Sequence, residues 1–572
     1  MDAAADTLNR RAGIAMSNGK PLSRDAVLQL RKAVVTRAAD TDDLMERALR
    51  RPLGSAKSIQ ELHDLLLFMV AYPASMAQYR SAVRNLNGFR RALGAHLKDD
   101  RRLRERLRDT GIQGCDMIGL YSFELAHWLL RRWPGRIELH SADAERQVAT
   151  TSLLPMLTMA EREVLEPLDG DTEQLLRCAF GEDAGARFHG LIRTIAEHPM
   201  DEGLREALFS NLQPYLRIVG DERTPSLTGL RMRLLEPFHH EGALERTTDA
   251  VRIIAQPIAG ALPLTRAKRR ELIDKGRMVL ALMQRETDPI TYAGSAEAFD
   301  MGRGLMIALY HLDARHRLAL EGYVGFMAFK NGVPMAYGGA WLFPGRSKVG
   351  INVFPALRGG ESAWFFAQLL RLYRQRFDVR VFEAENYQLG HGNADGLRSG
   401  AYWFYYRLGF RPWNEPLARI AERELDRMRA GKQVPVAILK RLVADGLVLR
   451  LTDDPAPLID TSALLSRAQE HLLLQGTAGR RRTVEAMRSR LCSALGMEPA
   501  EMRSLELRFA VDAWAPLCDM IPDLHSWPRQ ERGRMASAIR ARAMGDEQAH
   551  QALLRRCHRL LSAWAALAER VA

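Results

Sequence analysis

The chain predicts an α/β protein, with a central α+β domain built on a mixed β-sheet and extensive all-α regions on either side. Its 572 residues exceed one ordinary domain and suggest several cores. Apolar residues recur at helical spacing up to about residue 285 and again beyond about 420, whereas from about 320 to 390 the period shortens to that of strands. Within that block a strand, a glycine-bearing loop and a helix follow one another, an order that belongs to α/β rather than all-β architecture. The expected division is 1–140 and 141–288 as helical domains, 289–418 as the α/β domain, and 419–572 as a helical C-terminal domain.

In the first region "DAVLQLRKAVVTRAA", "SIQELHDLLLFMVAY", the spacing from Val83 to Phe89, "FELAHWLLRRW" and "LREALFSNLQPYL" all read as amphipathic helices, and strand signals are nearly absent. "RGLMIALYHLDARHRL" reads as a hydrophobic helix or strand feeding the central block. There, "GYVGFMAF" and "PMAYGGAWLF" flank Asn331-Gly332, a strong hairpin signal, and "KVGINVF" gives a third strand. The loop "PALRGGES", the helix "AWFFAQLLRLYRQRF", the strand "VRVFEAE", the loop "NYQLGHGNADG" and the helix "LRSGAYWFYYRL" complete the series. Rings in that last helix fall on more than one face, so they are expected to serve more than one core or a ligand. Helices resume with "LARIAERELDRMRAG" and run to "HQALLRRCHRLLSAWAALAERV".

Composition narrows the class. The net charge is +13, yet only ten of the 82 basic residues are Lys, an Arg bias that reflects nucleotide composition more than a binding function. The Arg clusters at 90–109 and 479–491 could make weak contacts with nucleic acid, but solvated helix faces with i,i+4 ion pairs are the favoured reading. Five scattered cysteines without metal-ligand spacing read as buried small hydrophobes in a reducing compartment. With no signal peptide and no eighteen-residue apolar run, the protein is expected in the cytoplasm, with no membrane span. His239-His240 beside Glu241 reads as a surface turn rather than a metal pair, and no metal site is expected.

The chemistry is expected in the central block. Free backbone N–H groups where the "RGGES" loop meets its helix form a ready anion site. On the strand "VRVFEAEN" a period of two places Glu383 and Glu385 on one face. There they could raise one another's pKa and serve as a general base, or pair with arginine on a solvated face. His391, between two glycines, is a third candidate base, since an unperturbed imidazole already titrates near neutrality.

The element order, the loop Arg358-Gly359-Gly360-Glu361-Ser362-Ala363 and the segment "AYWFYYRLGFRP" together resemble the GNAT N-acyltransferase superfamily over about residues 290–415. The segments "FKNGVP", "RGGESA" and "SGAYWFYYRLGFRP" also resemble a large bacterial protein group of unassigned function. Arg358, Gly359 and Ala363 match the superfamily loop that cradles the acyl-CoA pyrophosphate, with Gly360 and Ser362 in the same loop; Ala401, Tyr405, Gly409 and Phe410 match the later motif. The resemblance implies acyl-CoA as co-substrate, an amine acceptor that is a small molecule or a protein, Tyr405 as the acid protonating the departing thiolate, and Asn352 near the reaction centre. Glu361 stands where the loop has its central glycine, either as a capping or first-turn carboxylate of the helix that starts near Ser362 or as a neighbour of the diphosphate. Arg398 stands where the later motif has asparagine and could turn to the phosphates as a bidentate partner. The implied function is transfer of an acyl group from acyl-CoA or another activated donor to an amine. The alternatives are an inactive GNAT-derived scaffold or sensor, and an aminoacyl or peptidyl-bridge-type transferase that does not use CoA.

Overall fold

The computed structural model describes residues 20–38, 41–452, 459–475 and 479–569. The N-terminal region is helical, as its periodicity predicts, with serine N-caps such as Ser23, Ser55, Ser75 and Ser122 accepting from the backbone of the first turn. It is not all-α. Strands β1 (Met117–Leu120), β2 (Ile137–Ala142) and β3 (Pro214–Ile218) form an antiparallel sheet of order β1-β3-β2. These strands of four to six residues are too short to show a clear period against the helices around them. The "PYL" end of a segment read as helix is in fact the start of β3.

The main sheet has eight strands. β4 (Ala293–Asp300), β5 (Leu305–Leu312), β6 (Gly322–Lys330), β7 (Val333–Phe343) and β8 (Arg346–Val353) run antiparallel in sequence order. The chain then crosses through the helix Ser362–Phe377 to β9 (Val381–Ala384), which pairs parallel with β8. β10 (Arg411–Pro412) and β11 (Leu447–Arg450) finish the order β10-β11-β9-β8-β7-β6-β5-β4, with β11 inserted between β9 and β10. β11 comes from the C-terminal region read as helical; its four residues, "LVLR", carry no strand pattern long enough to see.

Both faces of this sheet are covered. On β5, Leu305, Ile307 and Leu309 join the core beneath the helix Ser362–Phe377, while Met306, Ala308 and Tyr310 join the core shared with the helix Arg266–Leu282 and the small sheet. A strand buried on both faces loses its alternation, which is why "LMIALYHL" could not be told from a helix. A third core lies among the helices from Thr461 to Glu569, and Leu320 and Phe343 join it from the main-sheet region.

The β6–β7 hairpin turns at Asn331 and Gly332, with φ of +48° and +77°, the paired positive values of the primed turn that the dipeptide predicts. A Cβ on Gly332 would stand 2.8 Å from the Met232 carbonyl oxygen. Asn331 does more than turn the chain. Its Nδ2 donates to the carbonyls of Val70 (3.2 Å), Ala71 (3.1 Å) and Phe238 (2.7 Å), and its Oδ1 accepts from Phe238 N (2.8 Å).

The helix "LRSGAYWFYYRL" is two short helices, Ala394–Ser399 and Ala401–Arg407, broken at Gly400 with φ +70°. Contrary to expectation, Tyr402, Trp403, Tyr405, Tyr406 and Phe410 are all buried in one core. At about 100° per residue, Tyr402, Trp403, Tyr405 and Tyr406 fall within one arc of roughly 160°, which a single core covers. Of the cysteines, Cys115, Cys518 and Cys557 are buried, but Cys178 is exposed. Among the described residues no helix is long and apolar enough to cross a membrane. In the second Arg cluster, Arg481, Arg488 and Arg490 each pair with a carboxylate, whereas Arg90 and Arg91 in the first are exposed.

Replacing the Asn331 side-chain amide by a carboxylate would set an acceptor against three carbonyls. Asn331→Asp should lower the free energy of unfolding by about 3 kcal/mol or more, measured by urea titration. A loss below about 1 kcal/mol would mean the side chain does not tie the hairpin to its neighbours.

Candidate functional site

The connection after β8 carries most of the residues singled out in the sequence. Phe354 N still donates to Met335 O (2.9 Å) on β7, a single 3-10 turn covers Pro355–Leu357, and the exposed loop Arg358-Gly359 follows. Gly359 has φ +85°, which favours glycine. Gly360 is fixed by space: a Cβ there would lie 2.5 Å from the Tyr72 ring. Arg31, from the helix Arg24–Thr36, donates to the carbonyls of Ala356 (3.0 Å) and Arg358 (3.1 Å) and straps the loop from the N-terminal side. The side chain of Arg358 folds back, its Nε donating to Val353 O (3.4 Å). Ser362 and Ala363 begin the helix, and no partner for their backbone N–H groups is found among the described residues.

Glu361 plays neither of the two roles expected for it. It is the N-cap, but its side chain makes no capping bond; the carboxylate turns inward and is 1% exposed. Oε2 lies 3.2 Å from Lys330 Nζ, itself 1% exposed, and 3.6 Å from His240 Nε2. Oε1 accepts from Glu245 N (3.1 Å) and lies 3.6 Å from Arg303. The Lys330 ammonium also donates to Arg303 O (2.8 Å) and stands between the rings of Tyr72, Trp364 and Phe238 at 5.1, 5.3 and 5.7 Å. Burial pulls the ammonium below the usual lysine range, and Glu361 pulls it back up. A carboxylate held this way is neutralised from inside the protein and does not oppose an anion at the loop's outer face.

His240 is buried within the same cluster, not on a surface turn as expected; only His239 is on the outside. Burial first, then repulsion from Lys330, Arg37 and Arg303, pushes its imidazole down to about 3. It is therefore neutral, and its Nε2 has no hydrogen-bond partner among the described residues.

The second feature is a fork. β8 and β9 pair over three positions, Arg346 with Val381, Ser347 with Phe382 and Lys348 with Glu383, while β8 runs on to Val353. From Val349 to Val353 that edge of β8 meets no strand among the described residues, and Asn352 is exposed on this stretch. Beside Gly350, the Gln388 side chain occupies the space a Cβ would need, 2.8 Å away. Glu383 sits at the last paired position. Burial pushes its carboxyl above the ordinary value, while Arg346, 3.7 Å away, and Lys348 oppose the rise. Glu385 is exposed and pairs with Lys348 at 3.4 Å. Each glutamate is paired with a basic residue of the neighbouring strand, and Glu385 adds a small push to the rise at Glu383, after burial.

The remaining candidates are dispersed. His391 is exposed on the turn after the short helix Asn386–Leu389, and Arg398 is exposed and paired with Asp395. Tyr405 is buried against Phe366 and Phe410, both 5.3 Å between ring centroids, and burial raises its phenol above the usual range, so it stays protonated. Lys330, His240, Tyr72 and Arg303 were not anticipated. The visible signal for Lys330 is a lysine ending an otherwise apolar strand, "GYVGFMAFK"; His240 is visible only as half of the His239-His240 pair, and nothing local marks Tyr72 or Arg303. Comparison with protein-family models, with curated proteins and with solved structures finds no match to this chain.

The His240 imidazole titrates lower in the folded chain than in the unfolded one, whose ordinary value is about 6.5. The unfolded chain therefore takes up the proton first. Stability from this group is complete above about pH 6.5 and is lost on acidification, by at most about 1.4 kcal/mol per pH unit. Urea unfolding at pH 7, 6 and 5 should show a decline that His240→Gln makes shallower; an identical slope in the variant would show that His240 is not buried neutral.

Proposed function

We propose that residues 289–418, together with β11, form a GNAT-like N-acyltransferase unit that moves an acyl group from acyl-CoA, or another activated donor, to an amine. The observation that carries this proposal is the fork between β8 and β9. A parallel strand pair that separates leaves an open strand edge inside a sheet, from Val349 to Val353. A donor whose arm contains amide groups, as the pantetheine of CoA does, could pair with that edge as an added strand would. Also favourable are the free amides of Ser362 and Ala363 beside it, the exposed guanidinium of Arg358 and the inward turn of Glu361. The diphosphate would rest on Gly359, Gly360 and those amides; Asn352 would line the arm.

The chemistry needs an acid and a base. Tyr405, buried and protonated, is assigned the proton for the departing thiolate. Glu383, at the fork with its carboxyl raised by burial, is assigned the amine's proton ahead of Glu385 and His391, whose side chains are exposed. Arg398 is left with no role beyond its surface pair with Asp395.

A second reading, a GNAT-derived scaffold or sensor without donor binding, is favoured by one specific observation. Tyr72 and Arg31 already strap the loop to the N-terminal helices.

Titration with acetyl-CoA and longer acyl-CoAs separates the two. Saturating donor, at a hundredfold excess over Kd, should stabilise the protein by about 2.7 kcal/mol in a thermal-shift assay. No shift with any thioester would sink CoA-dependent transfer and favour the scaffold. With a binding donor in hand, Tyr405→Phe should lower kcat by about a hundredfold and leave donor affinity nearly unchanged. Equal loss of both would make the hydroxyl structural.

A further inference from the structure

A cavity of about 220 Å³ is lined on one side by the Pro355–Leu357 turn. Its wall is largely apolar, with Leu67, Leu227, Leu282 and Phe354 among the lining residues. On the helix Ala56–Ala71, Gln60, Asp64 and Leu67 recur at helical spacing and line one side, with Gln60 exposed at the mouth. The volume exceeds the roughly 150 Å³ of an apolar cavity that takes benzene, so a phenyl-sized body fits.

Asp64 gives the cavity its chemical preference. Its Oδ1 is 3.3 Å from His63 Nδ1, and the His63 imidazole is buried, 1% exposed. On the other side of the ring, Nε2 is 3.0 Å from Thr228 Oγ1, which itself accepts from Gln113 N (3.1 Å). A carboxylate can only accept, so the proton in the His63–Asp64 contact belongs to Nδ1. With Thr228 donating to Nε2, the chain Gln113, Thr228, His63, Asp64 is satisfied at every link and fixes the carboxylate by one oxygen. The Asp64 side chain is 25% exposed where it lines the cavity, and its Oδ2 has no protein partner among the described residues. The other lining carboxylate, Asp109, is already engaged, accepting from Ile118 N (2.7 Å) and lying 3.4 Å from Arg108. One oriented, half-satisfied carboxylate beside an apolar wall selects a cation with an apolar body.

We infer that this cavity binds small amphiphilic amines, with Asp64 as the counter-ion of the ammonium group and the apolar wall taking the hydrocarbon. The site stands independently of the acyl-donor proposal, although an amine is also the acceptor class that acyl transfer requires.

Calorimetric titration of the full chain with 2-phenylethylamine, 2-phenylethanol and 3-phenylpropionate, without any thioester, tests it. The amine should bind saturably and more tightly than the alcohol, and the carboxylate should bind least. Asp64→Asn, which keeps an acceptor for His63, should weaken the amine by about tenfold or more and leave the alcohol nearly unchanged. Leu227→Phe, which narrows the cavity, should weaken amine and alcohol alike and serves if the first variant does not fold. Absence of saturable amine binding at millimolar concentrations, equal affinity for amine and alcohol, or an Asp64→Asn variant that binds the amine as before would each overturn the assignment.

Discussion

The ion pair between Lys330 and Glu361 is the constraint around which the central part of this chain is arranged. Both residues are 1% exposed, so neither charge can be answered by water. Removing one partner of such a pair typically costs about 3–5 kcal/mol, because the survivor stays buried and uncompensated. Five separate segments have to close over the pair: the end of the helix Ala56–Ala71 with Tyr72, the stretch from Phe238 to Glu245, the β4–β5 turn at Arg303, the β6–β7 turn, and the start of the helix Ser362–Phe377. Asn331, adjacent to Lys330, ties three of the same segments together through neutral hydrogen bonds. The position of the Arg358–Ser362 loop is therefore decided by residues far away in sequence.

That arrangement links the helical N-terminal region to any chemistry at the loop. Tyr72 excludes a side chain at position 360, Arg31 holds two loop carbonyls, and Glu361 faces Lys330 instead of the solvent side. The loop is thus held by its surroundings rather than by its own residues. Meanwhile the sheet supplies the open edge. β8 continues past its last contact with β9, and the turn after it, Pro355–Leu357, also lines the Asp64 cavity.

Local pattern made much of the central block legible. The Asn331-Gly332 hairpin, the three strands around it, the helix Ser362–Phe377 and β9 follow from periodicity and turn chemistry within a few residues of their observed limits. Three kinds of feature were not legible. β1, β2, β3 and β11 are too short to carry a period, and β5, covered on both faces, has none to carry. The cluster around Glu361 joins positions 72, 240, 303 and 330, a set that no spacing rule connects. The pairing of Glu383 with Arg346 and of Glu385 with Lys348 depends on the parallel register of β8 and β9, which the residues of one strand do not fix.

The most direct test of the Lys330–Glu361 constraint is a double-mutant cycle with Lys330→Met, Glu361→Gln and the double variant, read by urea unfolding. The pair as described predicts that each single change is severe, that the double variant recovers much of the loss, and that the coupling energy is about 2–3 kcal/mol. Additive single losses, with coupling below about 0.5 kcal/mol, would contradict it and would place the two charges in separate environments.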